Sequence, residues 1–538
     1  MGKKRVANEH FEHQMWRYGF FSEQFPPCFT SETFASRLHD LRPMIEATRA
    51  TAPATLSTYK TGTSRRLLSV PNPYAFAHTV EHIRCYREDL FERASSLNSE
   101  SPITFIHSYN ENVEYSINSD LARAALGARS DFITNLRKRI VFAMGYRFRL
   151  SIDIATFYDS VYTHSITWAA CGKEEAKRIF AKTEGHPVTE PYRIANDFDR
   201  SMRNQKNQET SGILTGPFTS RIFSEIILAA IDKELRQSGF VFKRYVDDFK
   251  FYFHLEADAQ KAIISISKVL AKYSLAVNQS KVRIEEYPFD IESPIKKAFN
   301  EALKTSGVFG ALNEASRLHL AGEKGVYKYV LKMLRKEEIP EDDREVVLAV
   351  LFNINLLNPG CARYTIEYLA QSKSAIGEER LAEIINSELE RCLEEEAEQE
   401  SLNLLYFSRT LHLPVREKLL KRCIQLNNDF VSIIALDYFA KQPNLIVPES
   451  TDETPKGETL EDVVTQLEEE LKGLSMDSEH WFLLYESKAH GLLSVDISIG
   501  KTAPFFKKMM ELGVSFYSPE PARHPQQDKT KSGAAKTI

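Results

Sequence analysis

At 538 residues the chain is too long for one hydrophobic core and points to roughly two to four domains. Its 43% apolar and 27% charged residues are those of an ordinary globular protein, and a formal net charge of −5 excludes a global positive field. Any basic surface for a polyanion must therefore be a local groove.

The opening MGKKRVANEHFEHQMW lacks the apolar centre of a signal peptide, and no run approaches the ~18 apolar residues of a spanning helix. The six cysteines, Cys28, Cys85, Cys171, Cys361, Cys392 and Cys423, form no CxxC pair. A reducing cytoplasm and no membrane are expected. Residues 1–64 read as an N-terminal arm whose helix-like patches are broken by QFPPCF and TAPAT. From 65 to 290 strand and helix patterns mix: YRFRLSIDI alternates as a strand, and TSRIFSEIILAAIDKELRQ repeats apolar residues every three and four as an amphipathic helix. A sheet with helices packed on it follows. Beyond 290 strand signals nearly vanish, and REVVLAVLFNINLLNP, CARYTIEYLAQ, ESLNLLYFSRTLHLP and DFVSIIALDYFAKQ predict successive helices. An all-α helical-repeat domain over 291–515 is expected, with an exposed acidic loop at PESTDETPKGETLEDVVTQLEEE and a disordered tail over 516–538.

FKRYVDDFKFYF, residues 242–253, predicts a hairpin with strands Phe242–Val246 and Phe249–Phe253 and the acids Asp247 and Asp248 between them. No Gly or Asn eases the turn, although Asp tolerates unusual dihedrals. Two like charges beside aromatics repel unless a cation sits between them. A further acid, Asp153, closes the strand RFRLSID. Three strand-end carboxylates suit a pair of magnesium ions about 3.5–4 Å apart, the arrangement that stabilises attacking and leaving oxygens in phosphoryl transfer.

The order of these features resembles the palm of reverse transcriptases. Asp153 stands as the first acidic motif, Gly212–Ser220 as the second, YVDD at Tyr245–Asp248 as the third, and Lys281 as the lysine motif that follows. DIATFYDSVYTHSITWAACGK, RYGFFSEQFPPCF and SVPNPYAFAHTVEHI are similar to the abortive-infection (Abi) and related defence-associated reverse transcriptases of bacteria. The resemblance implies an α/β (α+β) palm-and-fingers polymerase domain over 65–290 followed by the helical-repeat domain. It implies a DNA polymerase of antiviral defence, with Asp153, Asp247 and Asp248 as catalytic metal ligands and the Ile154 carbonyl as an extra one. Magnesium, with manganese substituting, and deoxynucleotides are the implied cofactor and substrates. Tyr158, five after Asp153, matches the aromatic that gates against a ribose 2′-hydroxyl, with core packing beside Phe157 as the other reading. Gly216 and Pro217 open the second-motif helix, where close backbone approach to nucleotide or template wants no side chain. Lys281 would neutralise or protonate the leaving pyrophosphate. Leu214-Thr215-Gly216 replaces the Pro-Gln-Gly of retroviral and intron enzymes, and the Abi group makes polymers without a template.

Protein priming, also implied, needs an exposed phenol that reaches the metals. Tyr18 and Tyr59, the latter in the flexible stretch STYKTGTSRR, are the candidates, with packing the other reading of Tyr18. Arg65, Arg66, Arg147 and Arg149 are candidates for a phosphate-tracking groove. The resemblance further implies a homo-oligomer and nucleic-acid partners, DNA product and RNA. An RNA-templated enzyme with a dedicated noncoding RNA and a non-catalytic nucleic-acid scaffold stay open as alternatives. HTVEH at His78–His82 fits an inverted zinc-protease motif, although no third ligand is marked downstream.

Overall fold

The computed structural model describes residues 11–61, 64–100, 132–289, 294–323, 325–334, 337, 339–362, 364–366, 368, 377–448 and 458–519. Short helical turns over residues 11–44 bury Phe11, Met15, Trp16, Phe20 and Phe34, so the N-terminal segment is packed rather than free. An antiparallel hairpin follows, β1 (Ala54–Thr61) with β2 (Ser64–Val70). Its tip end is exposed at Ser64 to Leu67 while Leu68, Ser69 and Val70 are buried. Next come α1 (Pro73–Cys85), started by Pro73 at its first turn and the Asn72 side chain accepting from the Tyr74 N–H, and α2 (Arg87–Arg93).

The central sheet has four antiparallel strands in the order β4, β5, β3, β6. It is assembled from α3 (Phe132–Phe142), β3 (Phe148–Asp153), α4 (Ser165–Cys171), α5 (Glu190–Asn204), α6 (Phe218–Gln237), β4 (Phe242–Tyr245), β5 (Asp248–Phe253), α7 (Glu256–Lys272) and β6 (Arg283–Glu286). Strand alternation puts Leu150, Ile152, Phe249 and Phe251 on one buried face, against which α7 packs. Each such side chain stabilises the sheet by roughly 1.5–3 kcal/mol. The other face carries Arg149, Ser151 and Lys250 and ends in Asp153 and Asp248.

Beyond the sheet the described residues are almost entirely helical. α8 (Pro294–Leu320) breaks at Ser306–Gly307, where Gly307 has φ +60°. α9 (Val326–Leu334), α10 (Arg344–Leu357), α11 (Glu378–Glu394), α12 (Glu398–Leu411), α13 (Glu417–Gln425), α14 (Asp429–Lys441), α15 (Leu460–Leu471), α16 (Trp481–Ala489) and α17 (Ala503–Glu511) follow. α11 packs on α12, α12 and α13 on α14, and α14 on α16. These helices are tied to the hairpin: Glu398 and Gln399 of α12 accept from the Ser57 and Tyr59 N–H groups at 2.7 and 3.0 Å, and Glu400 pairs with Arg65 at 2.7 Å.

The last described residues pack on the N-terminal segment. Phe516 and Tyr517, expected to begin a disordered tail, are buried; Thr30 donates its N–H to the Phe516 carbonyl and Phe29 bridges to Tyr517. The Phe516 ring, which the flanking polar and proline residues masked in the sequence, completes an aromatic cluster with Phe20, Phe34 and Trp481, and the Tyr517 ring meets Phe29. The rest of that expected tail, 520–538, lies outside the described residues, as do 449–457 of the expected acidic loop. Among the described residues no helix is long and apolar enough to cross a membrane.

Candidate active site

The YVDD hairpin differs from its expected form by one position. β4 stops at Tyr245 and β5 begins at Asp248, leaving Val246 and Asp247 as a two-residue turn. Val246 has φ +53°, a left-handed conformation that a β-branched residue adopts only at a cost of roughly 1–3 kcal/mol. Hairpin turns with a positive φ at their first central residue normally place Gly there. Here the turn is held from behind: Arg244 Nη1 donates to the Val246 carbonyl at 2.9 Å.

The shift carries Asp248 into the ladder, directly opposite Asp153. Cross-strand partners share a face, so the two carboxylates meet at the end of the sheet. Burial, followed by the neighbouring charges of Asp153 and Asp248, pushes Asp247 above the usual carboxylate range, with Lys281 relieving part of the effect. Burial also raises Asp248, where Asp153 adds to the effect and Lys250 opposes it.

Backbone hydrogen bonds stitch the four motifs together. Ile154, buried, donates its N–H to the Asp247 carbonyl at 3.3 Å. Ile213 of the second motif donates to the Tyr158 carbonyl at 2.9 Å, and Asn278 donates to the Asp153 carbonyl at 2.8 Å. Lys281 Nζ lies 2.8 Å from Asp153 Oδ2, and Asn278 Nδ2 is 3.3 Å from the same oxygen. Tyr158 is half-buried, with its hydroxyl hydrogen-bonded to Ser224 and Arg221 of α6, and burial raises its pKa. Gly216 has φ +136°, and a Cβ there would stand 3.0 Å from the Ser69 carbonyl oxygen of β2. The close approach that excludes a side chain at Gly216 is thus to the hairpin, whose Ser69 N–H also bonds the Thr215 carbonyl at 2.8 Å. Pro217 caps α6.

Other expected residues lie elsewhere. Arg147 and Arg149 are paired with Glu286 and Glu285 of β6, at 2.6 and 2.9 Å, and Arg149 also covers the Phe289 ring. Arg149 stands opposite Glu285 in the ladder and Arg147, just before β3, reaches Glu286, so they are ion-paired across strands rather than a row of groove cations, because β6 lies beside β3 in the sheet. Arg65 is held by Glu400, and Arg66 is exposed on β2. Tyr59 sits in β1, opposite Arg65, and not in a flexible stretch. Tyr18 is half-buried beside Arg17 and next to Gly19, whose carbonyl accepts from the Phe218 N–H. The HTVEH residues are all engaged: His82 Nε2 lies 3.1 Å from the Ile194 carbonyl, Glu81 accepts from Arg84 Nε at 2.8 Å, and His78 Nδ1 is 3.3 Å from Ser201 Oγ. Burial lowers His82 to about 4. The motif is part of α1, where it packs toward α5.

Three functional candidates escaped the sequence: Asn278, the half-buried Arg221 and the fully buried Arg244. The one available signal was Glu225 and Asp232, acids seven apart on the apolar face of α6.

Among the described residues no three or more His, Cys, Asp or Glu side chains converge into a metal-holding group. Asp153 is turned to Lys281 and Asn278, so the carboxylates meet as an Asp153–Asp248 pair with Asp247 nearby, not as a closed cage. The donor set nevertheless fits a hard divalent cation: all are carboxylate oxygens, and two are held partly desolvated at raised pKa, a strain that a cation relieves.

Residues 121–302 match the family model of the reverse transcriptase (RNA-dependent DNA polymerase). No curated protein matches the chain. Among solved structures it is similar to telomerase from Candida albicans in complex with a TWJ fragment of telomeric RNA, at 15% identity over 66% of this chain and 65% of that one, with a TM-score of 0.28. Apo telomerase from Candida tropicalis is similar at 14% identity over 74% of this chain and 69% of that one, with a TM-score of 0.30. The chain spans less than two thirds of the length of the first of these telomerases. The similarity to the reverse transcriptase family thus spans the segment that holds all four motifs, from Asp153 to Lys281.

Proposed function

We propose that this chain polymerises deoxynucleotides by metal-assisted phosphoryl transfer, in bacterial defence against phage in the manner of the abortive-infection enzymes it resembles. The observation that carries the chemistry is the register pairing of Asp153 with Asp248, with Asp247 in the adjoining turn. These three carboxylates and the Ile154 carbonyl would hold magnesium, which when bound polarises the phosphate and acidifies the attacking hydroxyl. The chain itself supplies the rest. The desolvated floor keeps the acids poised for a cation. Lys281, which pairs with Asp153 at 2.8 Å, would neutralise a leaving pyrophosphate or donate a proton to it. Gly216 and Pro217 set the start of α6, which in this reading would face the incoming nucleotide.

In this reading the first nucleotide is joined to a tyrosine hydroxyl of the chain, with Tyr18 and Tyr59 as candidates, and synthesis needs no template. The helices from 291 to 515 form stacked pairs that assemble copies of the chain. The test is incubation of purified protein with magnesium or manganese and labelled deoxynucleotides, followed by denaturation. Labelled polymer retained on a protein band is expected. Absence of any polymer removes the polymerase reading, polymer running free of protein removes self-priming, and synthesis abolished by ribonuclease pretreatment replaces template independence with an RNA template.

Tyr158 gives a separate check. Its ring is fixed by the hydrogen bonds of its hydroxyl to Ser224 and Arg221, which suits a rigid gate. Tyr158→Ala is expected to raise ribonucleotide incorporation relative to deoxynucleotide by about tenfold or more, the scale on which pocket bulk discriminates. Unaltered sugar selectivity in competition assays assigns Tyr158 to packing.

A further inference from the structure

Resting on the polymerase reading above, we propose that Arg244 is a positioning residue: from behind the hairpin it holds Val246 left-handed and so sets where Asp247 and Asp248 stand.

Arg244 has no exposed surface. Its guanidinium is fixed from two sides by acids of α6, with Nη2 at 2.7 Å from Asp232 Oδ2 and 2.8 Å from Glu225 Oε1, and Nε at 3.0 Å from Asp232 Oδ1. Seven residues apart, Glu225 and Asp232 stand two turns along one helix face and form a slot that fits a planar fork. The acids are themselves anchored: Ser96 Oγ donates to Asp232 at 2.6 Å, and Arg221 pairs with Glu225 at 3.2 Å. The backbone of Arg244 is fixed too, its N–H donating to the Asn98 carbonyl and its carbonyl accepting from the Glu100 N–H. What remains for Nη1, besides Glu225 at 3.3 Å, is the Val246 carbonyl at 2.9 Å.

This last bond distinguishes positioning from packing. A lysine could pair with the two acids, but its single ammonium cannot also take up the fork geometry that reaches Val246. Without that donor, the turn loses the contact that opposes Val246's preference for a negative φ. Asp247 and Asp248, which follow Val246, would then shift together. A glycine at 246 adopts the left-handed conformation without strain, so it makes the turn independent of the donor. Arg221, which bonds the Tyr158 hydroxyl as well as Glu225, extends the same network to the first motif.

The experiment compares wild type, Arg244→Lys, Val246→Gly and the double variant. Manganese binding by titration without nucleotide, metal dependence of deoxynucleotide incorporation, and melting temperature are the readouts. Arg244→Lys is expected to weaken manganese binding about tenfold or more, the usual effect of losing a residue that orients metal ligands. It should lower kcat while leaving KM for deoxynucleotide nearly unchanged. Val246→Gly in the Arg244→Lys background is expected to restore manganese binding while the melting temperature stays at the Arg244→Lys value. Wild-type manganese affinity in Arg244→Lys overturns the proposal, and so does a double variant that binds manganese no better than Arg244→Lys. Should Arg244→Lys not fold, Arg244→Met with Glu225→Gln and Asp232→Asn, which leaves neither acid charged against an absent partner, is compared in the same way with and without Val246→Gly. A wild type that binds manganese but makes no polymer removes the polymerase reading and still decides the role of Arg244.

Discussion

Asp247→Ala combined with Asp248→Ala is expected to abolish deoxynucleotide incorporation, by a factor of about a thousand or more, since loss of even one preorganised stabiliser of transition-state charge costs 10²–10³. The same change should leave the metal-free chain folded and more stable at neutral pH. Burial and the neighbouring charge of Asp153 raise both carboxyls above their ordinary range, so the folded state binds these protons more tightly than the unfolded chain does. The associated stability is fully present below the unfolded carboxylate pKa and is lost as pH rises through the raised folded values. Metal-free wild type should therefore melt at falling temperature as pH rises from about 4 towards neutrality. The double variant should lack that part of the slope, and saturating magnesium should restore the wild type alone. Incorporation assays and melting curves across pH check both halves. Synthesis by the double variant at the wild-type rate, or a pH slope that it retains in full, counts against these carboxylates as the metal floor.

The strand-end positions of these acids were legible in the sequence because strand alternation and the spacing of acids are local. β3 and β5 could be read from YRFRLSID and FKFYF, and their acids end up opposite one another. The turn was misread by one residue because its stabilisation is not local: Val246 is an unfavourable residue for a left-handed position, and the donor that holds it draws its own support from α6. Arg147 and Arg149 were read as groove cations because nothing in the chain order says that β6 pairs with β3 and brings Glu285 and Glu286 against them. Gly216 was recognised as a residue that must lack a side chain, but its neighbour is Ser69, some 150 residues earlier, and only the folded hairpin supplies it. Residues whose partners lie on their own strand or helix were readable. Those defined by a distant element were not.

Phe516→Ala is expected to destabilise the chain by about 3–5 kcal/mol, the usual cost of truncating a fully buried phenylalanine. Its ring stacks on Phe20 with centroids 5.0 Å apart and meets Phe34 and Trp481 at 5.3 and 5.9 Å. The backbone around it is equally committed: the buried Glu486 carboxylate of α16 accepts from the Phe516 N–H at 2.8 Å, and Ser518 donates to the Cys28 carbonyl at 2.7 Å. The effect should reach the candidate site. Phe20 follows Gly19, whose carbonyl accepts the Phe218 N–H at the start of α6, two residues after Gly216. Loosening the aromatic cluster therefore loosens the second motif, and Phe516→Ala should lose incorporation at a lower temperature than wild type, in step with its melting. A chain ended after Pro519 keeps all of these contacts and should match wild type in both measurements, whereas one ended after Val514 should fare worse than Phe516→Ala. If the chain ended after Val514 melts and polymerises like wild type, the N-terminal segment is held to α6 by other contacts, and the C-terminal aromatics have no part in shaping the site.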